Sequence, residues 1–311
     1  MATPLIIDCD PGVDDAIALL LAFASPELDI LGVTTVAGNV DATLTARNAR
    51  LIRQIARRED VPVHAGAERP LVREPVEAGH FHGESGLGSL AIFEPTSAVG
   101  LGHAVSFLIA SIMSRPPGEV TLAVTGPMTN VAMAMRLEPQ FAGRLKRVVA
   151  MGGARSEGGN ITASAEYNIY ADPHAAQVVI ASGAPVTLLG LDATHQVRAS
   201  PDRIAAVKAV GTPAADAAAE LLAFRQDIEW RLAGDNTSPL HDPCTIAYLL
   251  RPDLFESRPA RIEVECASPL TLGHTAVEFR LDYNEPVRCQ WVTKADGAGV
   301  FALLAERLRR L

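Results

Sequence analysis

The chain has 311 residues, 48% apolar and 20% charged, an ordinary composition for a globular protein with a sizeable core. Lys plus Arg is 27 against 36 for Asp plus Glu, a formal charge of -9. That balance argues against a nucleic-acid binder that works by neutralising phosphates, and leaves room for a neutral small molecule or a cation. Cys9, Cys244, Cys266 and Cys289 show no paired short spacing, so buried thiols are expected and neither a disulfide framework nor a zinc knuckle. The apolar run 16–24 is about half of the ~20 residues a membrane span needs. It follows acidic residues, whereas a signal peptide begins with basic ones, so the chain is expected to start at Met1 and to be cytoplasmic.

In chain order, residues 5–7 form a short strand leading into acidic residues, and 16–23 a helix whose start is marked by Asp14 and Asp15. Residues 28–36 read as a second strand ending at Gly38-Asn39, and 42–58 have amphipathic helical spacing. A strand at 120–124 precedes Gly126-Pro127 and a helix through Met135; another at 147–151 ends in Gly152-Gly153. Asp172-Pro173 opens a helix, and 186–189 return as a strand. This alternation predicts an α/β fold, a mostly parallel sheet with helices on both faces. The last third is more helical: 201–230 is rich in helix formers, 241–250 is a short helix and 300–311 a basic terminal one, with strands at 261–266 and 276–281. No linker or repeat interrupts the chain, so 1–311 is read as a single domain, with mobile loops expected at 76–89 and 232–239.

Residues 8–15 read Asp8-Cys9-Asp10-Pro11-Gly12-Val13-Asp14-Asp15. One or two of these acids would suffice to cap a helix. Four close carboxylates after an apolar strand repel one another unless a cation is present, and a hard, oxygen-liganded ion such as Ca²⁺ or Mg²⁺ suits them. In an open parallel sheet such a cluster faces the ligand crevice. The spacing is not that of an EF-hand, which needs Gly at its sixth position and Glu at its twelfth.

With this cluster the chain resembles the inosine-uridine nucleoside hydrolases, whose N-terminal signature Asp-x-Asp-Pro-Gly-x-Asp-Asp is matched by residues 8–15. Ala37-Gly38-Asn39, Thr125-Gly126-Pro127-Met128-Thr129-Asn130, Met151-Gly152-Gly153, Asn160, Glu166-Tyr167-Asn168, Leu191-Asp192-Ala193-Thr194-His195 and His241-Asp242-Pro243 continue the resemblance along nearly the whole chain. Each motif alone is weak; their shared order is specific. The resemblance implies an open α/β sheet with a Rossmann-like core, a homodimer or homotetramer, and hydrolysis of the N-ribosidic bond of ribonucleosides.

It also implies roles. Asp10, Asp15, Asp242 and the carbonyl of Thr125 would hold one Ca²⁺ per subunit, with water and the ribose 2′ and 3′ hydroxyls completing the shell. Asp14 would be the general base that activates a metal-bound water. Asn39 would orient Asp14 or a ribose hydroxyl, and Asn160, Glu166 and Asn168 would bind the ribose. His241 would assist the leaving base, with His82 a second candidate, and His195 is expected to be structural or to support a neighbouring site residue.

Several positions depart from the family pattern. Cys9 stands where Thr is common and Tyr167 where Phe is usual. The stretch 224–235, where family members often place Tyr or Trp near the base, here carries Glu229 and Trp230; Trp230 could stack on a purine or simply pack its helix. Glu278 replaces an Asp that usually closes the stretch after Thr271, with an expected effect on packing or assembly. Two rival readings remain: a haloacid-dehalogenase-like Mg²⁺ phosphatase, against which Gly12 stands where Thr or Val is expected, and a non-catalytic nucleoside sensor, which would not need Asp14 and His241.

Overall fold

The structure, a computed structural model, describes residues 2–76, 79–281 and 287–311. Eleven strands follow in chain order: β1 Thr3–Cys9, β2 Leu28–Thr35, β3 Val63–Ala65, β4 Thr121–Val124, β5 Arg147–Met151, β6 Val186–Leu189, β7 Arg198–Ala199, β8 Ser238–Pro239, β9 Phe255–Val264, β10 Thr275–Glu278 and β11 Cys289–Ala295. Nine make one sheet in the order β10-β9-β11-β6-β5-β4-β1-β2-β3. From β3 to β11 neighbours are parallel; β9 and β10 complete the edge in antiparallel fashion. The run 3-2-1-4-5-6 is the Rossmann strand order, with its direction of winding reversed between β1 and β4.

Strand alternation sends Leu5, Ile7 and Cys9 to one apolar cluster and Ile6 to the other, so β1 is buried on both faces. Helices Val13–Phe23, Ala42–Ile55, Pro213–Ala233, Pro243–Leu250 and Gly297–Leu308 cover the first cluster. Helices Ala104–Met113, Thr129–Leu137 and Pro173–Ile180 cover the second. Asp172 caps the last of these through Ala175 N (3.0 Å) and also accepts from Leu71 N and Thr129 Oγ1.

The expected α/β architecture is borne out, with shifts at element ends. The first helix starts at Val13 because the Asp15 carboxylate accepts from the N-capping Gly12 backbone N–H at 3.1 Å. The helical stretch 201–230 is two helices, Pro201–Lys208 and Pro213–Ala233, each opened by a proline. The expected strand 261–266 starts earlier, at Phe255, because its polar first half lies on an exposed face. β11, unforeseen, joins the C-terminal hairpin to the parallel sheet, and its buried Trp291 packs against Gly153 and Gly190 after β5 and β6.

The 232–239 stretch is tied down rather than free. Ser238–Pro239 pairs with Arg198–Ala199, and Arg198 reaches Asp235 at 2.6 Å. Within the expected 76–89 loop, Glu77 and Ala78 and the side chains of residues 79 and 80 lie outside the described residues. The rest includes a helical turn at Gly79–His82 and a segment held by Asn48, whose amide donates to Pro11 O and Ser85 O at 2.9 Å. All four cysteines are free thiols, three of them buried. Among the described residues no helix is long and apolar enough to cross a membrane.

Candidate active site

The acidic turn sits where β1 and β4 end, at the point where the winding reverses. Asp8, Asp10 and Asp15 are fully buried, and Asp14 and Asp242 nearly so. Burial of this kind is costly for a carboxylate without partners, so each oxygen's partners matter.

Asp15 is fully engaged. Its Oδ1 accepts from Thr125 Oγ1 (2.7 Å) and Asp10 N (3.3 Å), its Oδ2 from Gly12 N and Asn39 Nδ2 (both 3.1 Å). Asp10 Oδ2 accepts from Asn39 N at 2.7 Å, whereas Asp10 Oδ1 has no partner. Two glycines crowd this carboxylate: a Cβ at Gly38 would fall 2.0 Å from Asp10 Oδ2, and one at Gly126 2.4 Å from Asp10 Oδ1. Asp14 Oδ2 accepts from His241 N at 2.9 Å, and Asp14 Oδ1 is buried without a partner among the described residues.

Asp242 stands at the N-cap of helix Pro243–Leu250 but makes no capping bond; its carboxyl lies within hydrogen-bond reach of Asp15 instead. Two carboxyls in contact need a proton or a cation between them. Burial, with the neighbouring acids, pushes Asp10 and Asp242 well above the usual carboxylate range, and burial raises Asp15. Burial likewise takes Asp14 to about 6, with Arg225 pulling it down. As the side chains stand, no three described Asp, Glu, His or Cys residues converge as cation ligands. By chemistry the donor set fits a hard cation: clustered buried carboxylates, one with an unpartnered oxygen wedged between glycines.

A cavity of about 350 Å³ opens above this floor. Its wall includes Asp14, Asn39, His82, Thr125, Asn160, Glu166, Asn168, His241 and Asp242, so the fold brings together residues spread over more than two hundred positions; Asp10 and Asp15 lie beneath. Glu166 caps helix Tyr167–Ala171, accepting from Asn168 N (2.8 Å), Gly153 N (2.9 Å) and Ile169 N (3.2 Å). Asn168 Nδ2 donates to Thr125 O at 2.7 Å, and Asn160 Oδ1 accepts from Tyr167 N at 2.9 Å. His82 Nδ1 accepts from Val13 N at 3.0 Å, which places the ring proton of the neutral form on Nε2. His241 Nδ1 is 2.8 Å from Thr194 Oγ1, and burial, with His195 beside it, holds the imidazole well below its ordinary pKa.

Three details sharpen the sequence reading. His195 is on the cavity wall, with its ring 5.7 Å from that of His241 and its Nδ1 3.0 Å from Glu157. Trp230 is off the wall and 59% exposed, because the face of helix Pro213–Ala233 toward the cavity carries Arg225, Glu229 and Leu232. Asp8 holds the fold together: Oδ1 accepts from Thr34 Oγ1 (2.6 Å) and Asn130 Nδ2 (2.8 Å), and burial pushes the acid up to about 7. Arg225, Arg198 and Phe81 also line the cavity and carried no motif; the four-residue spacing of Arg225 and Glu229 was the one available signal.

Comparison with known proteins agrees with this geometry. The family described as inosine-uridine preferring nucleoside hydrolase matches residues 5–302. A pyrimidine-specific ribonucleoside hydrolase RihA of Salmonella gallinarum is 42% identical over 313 residues, covering 99% of both chains. The inosine-uridine preferring nucleoside hydrolase of Crithidia fasciculata is 41% identical over 312 residues, covering 100% of this chain and 99% of its own. The solved plant nucleoside hydrolase PpNRh1 superposes with a TM-score of 0.93 at 29% identity, covering 99% of both. The fold is that of a nucleoside hydrolase, an enzyme of N-glycosyl bond hydrolysis. More narrowly, the chain belongs to the inosine-uridine preferring nucleoside hydrolase family, and neither the phosphatase nor the sensor reading is needed.

Proposed function

We propose that this chain hydrolyses the N-ribosidic bond of ribonucleosides to free base and ribose, with Ca²⁺ held by Asp10, Asp15, Asp242 and the Thr125 carbonyl. The observation that carries the reading is Asp14, a buried carboxylate on the cavity wall with one oxygen fixed and the other unpartnered. A bound Ca²⁺ would supply a Lewis acid for the attacking water and a grip on the vicinal ribose hydroxyls.

Asp14 Oδ1 takes the proton of the attacking water while the His241 backbone N–H holds Oδ2 still. With a pKa near 6, Asp14 is ionised at neutral pH yet basic enough to act, the compromise general-base catalysis favours. Asn39, Asn160, Glu166 and Asn168 provide amide and carboxylate groups for the ribose. The oxocarbenium-like sugar carries positive charge, so an acidic floor favours the transition state over the neutral ground state. His241, neutral at pH 7, gives a hydrogen bond to the departing base from Nε2 when the Thr194 hydroxyl donates to Nδ1. His82, on the same wall, is a second candidate to contact the base.

The test is reducing-sugar release from inosine, adenosine, guanosine, uridine and cytidine, with and without a strong chelator. Release that the chelator abolishes and Ca²⁺ restores is expected, together with weak activity on 2′-deoxynucleosides. Chelator-resistant release would remove the metal from the reading, and no release from any of the five would remove ribonucleoside hydrolysis.

A further inference from the structure

The cavity wall contains a buried cation to which the proposed chemistry gives no contact with the substrate. Arg225 is 8% exposed and lines the cavity from helix Pro213–Ala233. Its Nη2 is 3.3 Å from Glu229 Oε1, and the guanidinium carbon stands 5.4 Å from the centre of the Phe81 ring. Its Nε and Nη1 are buried and have no hydrogen-bond partner among the described residues. A guanidinium offers donors only, in one plane, and suits an oxygen acceptor.

We propose that Arg225 reads the nucleobase: its free N–H groups donate to a carbonyl oxygen of the base, and Glu229 holds the guanidinium in position for it. This rests on the hydrolytic reading above and names the group that stabilises the departing base. Water oxygen bonds to C1′ as one water proton passes to Asp14. The C1′–N bond breaks and its electron pair goes to the base, spreading onto the carbonyl oxygen that Arg225 faces. The base takes one proton from solvent and Asp14 releases the water proton to solvent, so one water is consumed, base and ribose are the products, and Asp14 is restored. Negative charge grows on that oxygen only as the bond breaks, so Arg225 acts more strongly on the transition state than on the bound nucleoside.

The test compares wild type, Arg225→Gln and Arg225→Lys on inosine, on purine riboside, which lacks the 6-carbonyl, and on 4-nitrophenyl β-ribofuranoside, whose leaving group needs no help. Trp230→Ala, on the exposed face of the same helix, is the control and is expected to change none of the rates by more than about twofold. Arg225→Gln is expected to lower kcat/KM for inosine by about 10²-fold, the usual effect of losing one charge-stabilising donor. The same variant should cost purine riboside and the nitrophenyl substrate less than about threefold, with Arg225→Lys intermediate on inosine. Equal losses on all three substrates, or no loss on inosine, would overturn the proposal. Should the variants not fold, calorimetric binding of free hypoxanthine and purine to wild type decides: tighter hypoxanthine supports Arg225, and equal affinities overturn it. Wild type that cleaves none of the three substrates fails the hydrolytic reading itself, a result distinct from a loss confined to Arg225→Gln.

Discussion

The two ends of the cavity are built differently. At the floor, Asp10, Asp14, Asp15 and Thr125 stand within a few residues of the ends of β1 and β4, and backbone N–H groups of Asp10, Gly12, Asn39 and His241 fix their carboxylates. Gly38 and Gly126 leave Asp10 no room to move. At the other end, Arg225, Glu229 and Leu232 arrive on one face of a long helix, and Nε and Nη1 of Arg225 have no hydrogen-bond partner among the described residues. The donors of this floor lie in the turns just past the strand ends and at the start of helix Pro243–Leu250, so their positions depend on backbone placement. A helix face can change its side chains without moving its backbone, so substrate preference can vary there while the chemistry stays put. Two relatives with almost the same overall identity, 42% and 41%, carry different base preferences in their names, as this division leads one to expect.

The largest effect that would break the comparison is at the floor. Asp14→Asn is expected to lower kcat by about 10³-fold, within the range for loss of a general base, with KM changed only a few-fold. The amide oxygen still accepts from His241 N, so the melting temperature should hold. Turnover within tenfold of wild type would mean that the floor does not supply the base.

A smaller effect sharpens it. Gly126→Ala places a methyl 2.4 Å from Asp10 Oδ1, and neither the strand end nor the buried carboxylate can yield cheaply. Overpacking of this kind costs about 1–3 kcal/mol, and activity should fall at least about tenfold through displacement of Asp10. Gly143→Ala is the matched control: nothing lies within 4 Å of its Cβ, and a helical Gly→Ala change is worth up to about 1 kcal/mol in the stabilising direction. Urea unfolding and sugar release on both variants separate them. If Gly126→Ala behaves like Gly143→Ala, the floor is softer than its packing implies.

The same division explains what could be read from the sequence. Asp10, Asp14 and Asp15 stood out because four carboxylates share one short turn after a strand, whereas Thr125 and Asp242 drew attention only through the family resemblance. That the sheet is mostly parallel was legible from apolar runs alternating with capped helices, whereas its Rossmann-like strand order was implied only by the family resemblance. Arg225 was not legible, because a buried cation on a helix looks like any solvated Arg until tertiary packing turns its face inward. Trp230 was open between stacking on the base and packing its helix, and the structure takes it away from the cavity: it sits one position past Glu229 and the helical turn carries it outward. β11 escaped notice because its pairing with both β6 and β9 depends on partners far away in the chain.

The smallest expected effect tests the rim of the sheet, away from both ends of the cavity. His64 on β3 is buried, stacked on Phe107 with ring centroids 4.2 Å apart, and its Nδ1 has no partner. Burial lowers its pKa, against the opposing pull of the backbone at Gly102 and Leu101. In the unfolded chain histidine titrates near 6.5. Above that pH both states hold His64 neutral, and it adds no pH dependence. As pH falls through the unfolded value, the unfolded chain takes up a proton that the folded site resists, so stability is lost toward acid. Asp8, raised to about 7, works in the opposite direction, since its folded form keeps a proton that the unfolded chain gives up at lower pH. The raw stability curve therefore mixes the two, and the informative quantity is the difference in unfolding free energy between wild type and His64→Gln. That difference should move against wild type between pH 7.5 and pH 5.5, measured by urea unfolding at each pH; a difference independent of pH would show that the folded site accepts the proton as readily as water-exposed histidine does.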